Sequence, residues 1–266
     1  MSEETTDTGA DAAAEGTVYL VGSGPGDPEL LTVKARRLLT EADTILHDKL
    51  PGPDILEEIP DSKREDVGKR AHGEGTSQTY INERLVELAR AGETVVRLKG
   101  GDPTVFGRGG EEMVYLAERG VHFEVVPAVT SAVAGPAVAG IPVTHRDHAS
   151  AVTFVTGHEN PDKEDSAVDW EALAATGGTI VVLMGVTRLP EYTAALAEAG
   201  MAPSTPVALV ERATWDGQRV ATGTLETIVE TRDTAGIEPP ALTVIGDVAV
   251  TRERVIDFLA TTEGDP

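Results

Sequence analysis

The sequence predicts an α/β protein built from two domains, and three observations support this prediction. Short apolar runs alternate with segments in which apolar residues recur at helical spacing, several runs end in glycine-rich turns, and the alternation restarts after residue 147. The chain has 266 residues, 40% of them hydrophobic, which is enough for two cores of ordinary domain size. We therefore expect two α/β domains, over residues 17–143 and 144–262, rather than an all-α or all-β fold.

The N-terminal half repeats strand, turn and helix. Residues 1–16 are small, polar and acidic and cannot bury enough apolar surface to become ordered, so we expect a disordered acidic tail. Apolar runs predict strands over 18–21, 44–46, 65–68, 94–98 and 123–126. Helical spacing of apolar residues predicts helices over 30–39 and 78–91, and a further helix is expected over 110–118. The small apolar run 130–142, interrupted by glycine and proline, is expected to form a packed helix that leads into a linker.

The C-terminal half shows the same alternation. Strands are predicted over 151–155, 179–184, 206–210, 219–222 and 242–245, and helices over 188–199, 225–231 and 252–259. The boundary between the two domains is expected between residues 140 and 150, where glycine and proline interrupt the pattern.

The charge balance excludes several classes of partner. The chain carries 45 acidic residues against 22 Lys and Arg, a net charge of −23, whereas nucleic-acid-binding proteins need a basic surface. An anionic membrane would be repelled, and the longest nearly apolar stretch, residues 132–143, is shorter than the ~18 residues of a spanning helix. We expect no secretion signal, because residues 1–16 lack a positively charged segment followed by an apolar one. We therefore expect a cytoplasmic protein with no nucleic acid and no membrane as partner.

The basic residues are 16 Arg and only 6 Lys. A large acidic excess with little Lys favours a protein that stays hydrated in concentrated salt, as in a halophilic archaeon, because salt screens the repulsion between its charges. The alternative is an ordinary acidic protein of the cytosol.

The absence of cysteine removes disulfides, thiolate nucleophiles and cysteine-bound metals from consideration. Among the six histidines only His145 and His148 lie close in sequence, without the spacing of a familiar metal motif. We therefore expect no metal.

Three glycine-bearing turns follow predicted strands, at residues 22–28, 100–103 and 185, and we expect them to converge on one crevice beyond the strand ends. The first resembles the dinucleotide fingerprint G-x-G-x-x-G, but Asp27 replaces the third glycine and would repel a pyrophosphate. A cationic ligand without phosphate, such as S-adenosylmethionine, fits better. The alternative is that Asp27 and Asp102 only cap helices or form turns.

Longer blocks of sequence identify a family. The blocks GSGPGDPELLT at 22–32, HDKL at 47–50, RLKGGDPTVFGRGGEE at 97–112 and VPAVTSAVAGPAVAGIPVTHRD at 126–147 resemble those of the tetrapyrrole methylases, and the resemblance extends over residues 17–260. Within that family they are most similar to the enzymes that methylate uroporphyrinogen III. The resemblance implies a homodimeric methyltransferase of two α/β domains, with S-adenosylmethionine in the cleft between them.

The resemblance also implies which residues contact the cofactor. Carried over motif by motif, these are Pro25, Gly100, Gly101, Asp102, Val105, Thr130, Ser131, Met184 and Ala213. Asp102 would receive the ammonium group or ribose hydroxyls of the cofactor. Met184 would pack on the adenine, the alternative being ordinary core packing.

The implied reaction is two successive methylations of uroporphyrinogen III, at C2 and C7. The products are precorrin-2 and S-adenosylhomocysteine, on the route to sirohaem and cobalamin. Asp48 matches the family's proton acceptor and Lys69 its proton donor. Three alternatives remain: a methylase of a later precorrin, a diphthine synthase-like methyltransferase, and a catalytically idle binding protein.

The implied substrate carries several carboxylates, so an acidic protein needs a locally basic cleft to bind it. The candidate substrate-binding residues are Arg70, Arg97, Lys99, Arg108 and Arg146. We expect at least half of them to face the cleft. The alternative is that some pair with acids of the chain, as Arg108 would with Glu111 or Glu112.

Overall fold

The computed structural model describes residues 16–68, 77–158, 161 and 168–262, with the backbone alone for 257–262. These residues form two five-stranded sheets. The strands are β1 (Thr17–Gly22), β2 (Thr44–His47), β3 (Arg64–Asp66), β4 (Thr94–Lys99), β5 (Phe123–Val126), β6 (Val152–Thr156), β7 (Thr179–Leu183), β8 (Pro206–Glu211), β9 (Arg219–Thr224) and β10 (Ala241–Ile245). The helices are α1 (Val33–Glu41), α2 (Pro53–Glu57), α3 (Gln78–Arg90), α4 (Gly109–Ala117), α5 (Ser131–Val138), α6 (Trp170–Thr176), α7 (Leu189–Glu198), α8 (Ile228–Ala235) and α9 (Thr251–Thr262).

The first sheet is parallel throughout and has the strand order β3-β2-β4-β1-β5. Because all its strands run the same way, their carboxyl ends lie at one edge, with the ends of β1 and β4 side by side in the middle. Helices cover both faces: α1 and α2 pack on one, and α3 and α4 on the other. The first sheet therefore presents the loops after β1, β2 and β4 together.

The second sheet is mixed, with the order β6-β7-β10-β8-β9. Strand β10 runs antiparallel to both of its neighbours, so β7 and β8 run in the same direction and end at the same edge. The register shows this edge directly, since Leu242 of β10 pairs with Leu183 on one side and with Val210 on the other. Helices α6, α7 and α8 cover one face of this sheet.

Helix α5 covers the other face of the second sheet, although the sequence places it in the first predicted domain. Ala132 of α5 and Ala139 at its end pack with Val181, Val210 and Val244. The packing unit of the C-terminal half therefore begins before residue 144. The domain limits 17–143 and 144–262 stay a prediction.

Most predicted elements are confirmed to within a few residues, and the exceptions have local causes. The helix expected from residue 30 begins at Val33, because the Thr32 hydroxyl accepts a hydrogen bond from Ala35 N (3.1 Å) and caps it. Helices α2 and α6 were not expected, since two turns or fewer are too short to show periodicity.

Two further expectations concern the N-terminal tail and membrane-spanning helices. The expected acidic tail lies outside the described residues, apart from Gly16. Within the described ranges, no helix combines the length and the apolar character needed to cross a bilayer.

Candidate functional site: two facing sheet edges

The first two glycine turns meet at the centre of the first sheet's carboxyl edge. Ser23 N donates to the carbonyl of Lys99 (2.8 Å), and Gly24 and Gly101 exchange two backbone hydrogen bonds of 3.2 and 2.7 Å. The predicted convergence of these two turns is therefore confirmed. The third turn, at Gly185, follows β7 of the second sheet.

The second turn is packed too closely for side chains. Gly101 has a φ of +67°, and a Cβ atom there would lie 3.2 Å from Oγ of Ser131, at the start of α5. A Cβ atom on Gly100 would lie 2.6 Å from Cβ of Leu50, in the loop after β2. Thr130 caps α5 through its hydroxyl, which accepts from Ala132 N at 3.3 Å. The candidate residues Gly100, Gly101, Thr130 and Ser131 therefore lie together.

The carboxylate of Asp102 is already engaged within the protein. Oδ1 accepts hydrogen bonds from N (2.8 Å) and Oγ1 (2.6 Å) of Thr104, and Oδ2 accepts from N of Ala128 (3.0 Å). Burial opposes ionisation, but these hydrogen bonds outweigh it and hold the pKa of Asp102 below its usual range. Val105 closes the same turn by donating its N–H to the Asp102 carbonyl (3.3 Å).

Both turn aspartates make the contacts of the alternative interpretation, in which they cap a helix or form a turn. Asp102 braces its turn, and Asp27 accepts a hydrogen bond from Glu29 N (2.8 Å) at the start of a short 3₁₀ segment. A contact between Asp102 and a cofactor stays a prediction.

The second sheet contributes two strained loops at its matching edge. Met184 follows β7 with a φ of +57° and is 51% exposed, so it is not a core residue. After β8, Arg212 and Thr214 have φ angles of +47° and +70° on either side of Ala213. Non-glycine residues adopt this left-handed conformation only at a cost in free energy. Residues in such strained conformations are concentrated at functional sites.

Trp215 joins these loops to the first sheet. Its Nε1 donates a hydrogen bond to the carbonyl of Pro25 (3.0 Å), and its ring occupies the space that a Cβ atom on Gly26 would need. Helix α5 contacts both parts, because a Cβ atom on Gly101 would lie 3.2 Å from Oγ of Ser131 and one on Gly135 would lie 3.5 Å from Cβ of Ala213. The carboxyl edges of the two sheets thus come together at these loops. Trp215 was not among the predicted site residues, because no local pattern links positions 25 and 215.

Asp48 lies at the same edge, directly after β2. Its Oδ1 accepts a hydrogen bond from Leu50 N (2.9 Å), and its Oδ2 lies 3.4 Å from Nη2 of Arg97. The side chain is 26% exposed. The carboxylate is therefore held at both oxygens while it remains partly exposed.

Arg97 and Lys99 are 4% exposed and their charges are paired inside the protein. Arg97 Nε (3.2 Å) and Lys99 Nζ (2.9 Å) both donate to Oε1 of Glu112, which is fully buried in the first turn of α4. Burial, together with the neighbouring Arg97, lowers the pKa of Lys99. The expected open basic surface is not formed by these two residues, although a contact with substrate stays a prediction.

The remaining basic candidates divide between the surface and the part of the chain that is not described. Arg108 is exposed and forms a two-point ion pair with Glu111 (2.8 and 2.6 Å), the alternative left open by the sequence. Arg146 is also exposed. Lys69 and Arg70 lie outside the described residues.

Glu112 was missed as a site residue, although the sequence carries a signal for it. Arg97 and Lys99 are two residues apart in a strand and therefore point to the same face, which needs a counter-charge if that face is buried. The helix that follows begins with Glu111 and Glu112. Which of these two glutamates points into the interior depends only on how α4 packs on the sheet.

Comparisons with known proteins identify the family of this chain. The sequence pattern of the tetrapyrrole (corrin/porphyrin) methylases matches residues 17–229. The S-adenosyl-L-methionine-dependent uroporphyrinogen III methyltransferase of Methanosarcina barkeri is 56% identical over 234 residues, which cover 88% of this chain and 92% of that protein. The siroheme synthase of Chromobacterium violaceum is 51% identical over 90% of this chain, which spans only 50% of that longer protein.

A solved structure shows the same fold. Uroporphyrin-III C-methyltransferase from Thermus thermophilus, crystallised with S-adenosyl homocysteine, is 42% identical and superposes with a TM-score of 0.75, covering 88% of this chain and 98% of the other. The fold class predicted from the sequence is confirmed by this similarity. On the extent of the family match and on the identity to its members, this chain belongs to the tetrapyrrole (corrin/porphyrin) methylase family.

Proposed function

We propose that this protein transfers methyl groups from S-adenosylmethionine to uroporphyrinogen III in two successive steps, at C2 and C7, and so produces precorrin-2. The observation that carries the proposal is the meeting of both glycine turns, Asp48 and the loop after β8 where the two sheet edges come together. The identity of 56% to a uroporphyrinogen III methyltransferase supports the choice of substrate.

The crevice fits S-adenosylmethionine by the character of its lining. Gly100 and Gly101 allow the two turns to pack closely at this edge, and the exposed side chain of Met184 can pack on a flat ring. The buried hydroxyl of Thr214 has no hydrogen-bond partner among the described residues, so it can bond a polar group of a ligand. When bound, the cofactor supplies a methyl group on a positively charged sulfur.

Asp48 is the proton acceptor in this proposal. The pyrrole system must lose a proton after its carbon has been methylated, and a carboxylate at the crevice edge can receive it. The hydrogen bond from Leu50 N and the ion pair with Arg97 fix the direction of the carboxylate. Lys69 is the proposed proton donor, on the strength of the family motif alone.

The exposed cations Arg108 and Arg146 are proposed to attract the carboxylates of the substrate. Arg108 can exchange Glu111 for a substrate carboxylate at little cost, because an exposed ion pair contributes only about 0–1 kcal/mol.

We further propose that the protein is a homodimer, that it works in the cytoplasm, and that its acidic exterior is an adaptation to salt.

For the longer siroheme synthases, this chain matches about half of the length. The proposal for the shared region is therefore the methyl transfer only, as one step toward sirohaem or cobalamin.

The test is an anaerobic incubation with methyl-labelled S-adenosylmethionine and uroporphyrinogen III. Two labelled methyl groups per macrocycle are expected, with two molecules of S-adenosylhomocysteine. Label on a later precorrin but not on uroporphyrinogen III would assign the chain to a later methylation. If no S-adenosylhomocysteine is released with any tetrapyrrole, the remaining candidate is a catalytically idle binding protein.

A further inference from the structure

Glu112 stands at the centre of a buried polar network that the proposed mechanism does not use. Its Oε1 accepts hydrogen bonds from Arg97 Nε (3.2 Å), Lys99 Nζ (2.9 Å) and Gln78 Nε2 (3.1 Å). Its Oε2 has no partner among the described residues. Gln78 in turn donates to Asn82 of the same helix (2.9 Å). Two helices and the central strand β4 thus converge on one carboxylate oxygen.

The network leads from Glu112 to Asp48 through a single side chain. The guanidinium of Arg97 is held at Nε by Glu112 and at Nη1 by the carbonyl of Leu98 (3.0 Å), and this leaves Nη2 directed at Oδ2 of Asp48 (3.4 Å). Because a guanidinium is planar and rigid, the position of its Nε end fixes the direction of its Nη2 end.

The chain fold explains why Glu112 reaches this place. Gly109 N donates to the carbonyl of Pro103 (3.0 Å), and a Cβ atom on Gly109 would collide with that carbonyl. Helix α4 therefore starts directly against the second glycine turn. This start places its first turn over the end of β4, where Arg97 and Lys99 point to the same face.

Charge balance gives Glu112 a second effect on the same residues. Arg97 and Lys99 are both about 95% buried, and the carboxylates that face them are Glu112 and Asp48. Removal of a buried partner leaves a charge uncompensated, which is strongly unfavourable. Without Glu112, Asp48 is the remaining described carboxylate for two cations.

We propose that Glu112 is a positioning residue for the methyl transfer: it orients Arg97 and neutralises Lys99, so that Asp48 is held in the direction needed to accept a proton. The inference rests on the proposed function, because it assigns Asp48 the role of base. Glu112 does not itself touch substrate or cofactor in this scheme.

The test is a double-mutant cycle between Glu112 and Asp48, read as kcat with uroporphyrinogen III. Glu112→Gln keeps the size of the side chain and removes its charge, and we expect kcat to fall about tenfold or more. The affinity for S-adenosylhomocysteine, measured by calorimetry, should change by less than about twofold, since the hydrogen bonds of Glu112 go to Gln78, Arg97 and Lys99 and not to a cofactor candidate. In an Asp48→Asn background the same substitution should lower kcat by less than about twofold.

Two further variants complete the design. Glu112→Asp retains the charge, so the variant should fold, but its shorter side chain withdraws the oxygen from Arg97. We therefore expect kcat to fall through the effect on Asp48. This variant keeps the inference testable if Glu112→Gln does not fold. Glu118→Gln is the matched control, because Glu118 ends the same helix and its ion pair in the described part of the chain is with Arg119, at 3.6 Å on the surface. It should leave kcat unchanged.

The outcomes separate this inference from the proposed function. No S-adenosylhomocysteine from the unaltered protein would refute the function and the inference together. A normal unaltered enzyme with equal losses of kcat in both backgrounds would show that Glu112 acts independently of Asp48, and would overturn the inference alone. Full turnover in Asp48→Asn, or unchanged kcat in both Glu112 variants, would also overturn it.

Discussion

The indole Nε1 of Trp215 lies 3.0 Å from the carbonyl oxygen of Pro25, 190 residues earlier in the chain. This hydrogen bond joins the loop after β8 of the second sheet to the first glycine turn of the first sheet. Both loops carry candidate cofactor residues, Ala213 and Pro25. The contact therefore fixes the position of these two loops relative to each other.

Trp215→Phe should weaken cofactor binding while it leaves the fold intact. The phenyl ring preserves packing over Gly26 but cannot donate to Pro25, and a neutral hydrogen bond contributes about 0.5–1.5 kcal/mol. We expect the Kd for S-adenosylhomocysteine to rise about two- to tenfold in calorimetry. Trp170→Phe is the control: Trp170 stacks on Tyr192 inside the second core, so this change should lower Tm without raising Kd.

Asp48→Asn should lower kcat about a hundredfold or more, because an amide cannot accept the proton. The Kd for S-adenosylhomocysteine should stay within about twofold of the original. Asp48 lies in the loop after β2, which contacts Gly100 through Leu50, and is not itself part of a glycine turn. Product formation is measured anaerobically as released S-adenosylhomocysteine. Normal turnover would rule out Asp48 as the base.

Asp102→Asn should remove a pH-dependent part of the stability. The pKa of Asp102 is lowered in the folded protein, so the ionised carboxylate stabilises the fold above the unfolded pKa of about 3.9, and the contribution is lost as pH falls through the folded value. Urea unfolding should show the largest difference between the two proteins near pH 7 and a shrinking difference below about pH 4. A difference that is constant with pH would contradict the assignment.

Charge reversal at Arg146 or Arg108 should raise the KM for the tetrapyrrole more than the KM for S-adenosylmethionine. Both side chains are exposed, and a new carboxylate would repel those of the substrate. The effect should diminish at high ionic strength, which screens exposed charges. Equal increases in both KM values would argue against a role in substrate binding.

Thermal stability should rise with salt. At a net charge of −23 the surface repels itself, and the screening length falls from ~10 Å at about 0.1 M to ~3 Å at about 1 M salt. We expect Tm to increase between about 0.1 M and about 3 M KCl, as measured by calorimetry. A Tm that stays constant or falls would refute the adaptation to salt.

Local patterns were sufficient to predict the parts of the fold that depend on neighbours in sequence. The apolar runs of β1 and β4 and the glycines that follow them indicated both the strands and the turns, because period and backbone freedom are encoded within a few residues. Helix α5 was expected from a run of small apolar residues rather than from helical spacing. The sheet on which it packs was not predicted, because that run has no distinct polar face to orient it.

The candidate site divides in the same way. Sequence alone determined the family, the glycine turns, and Asp48 as the carboxylate after β2. Only the tertiary structure decided that Arg97 and Lys99 lie buried on Glu112 and that Trp215 donates a hydrogen bond to Pro25. The physical reason is that burial and pairing of a charge depend on which helix packs over it, and such contacts join residues that no sequence period relates.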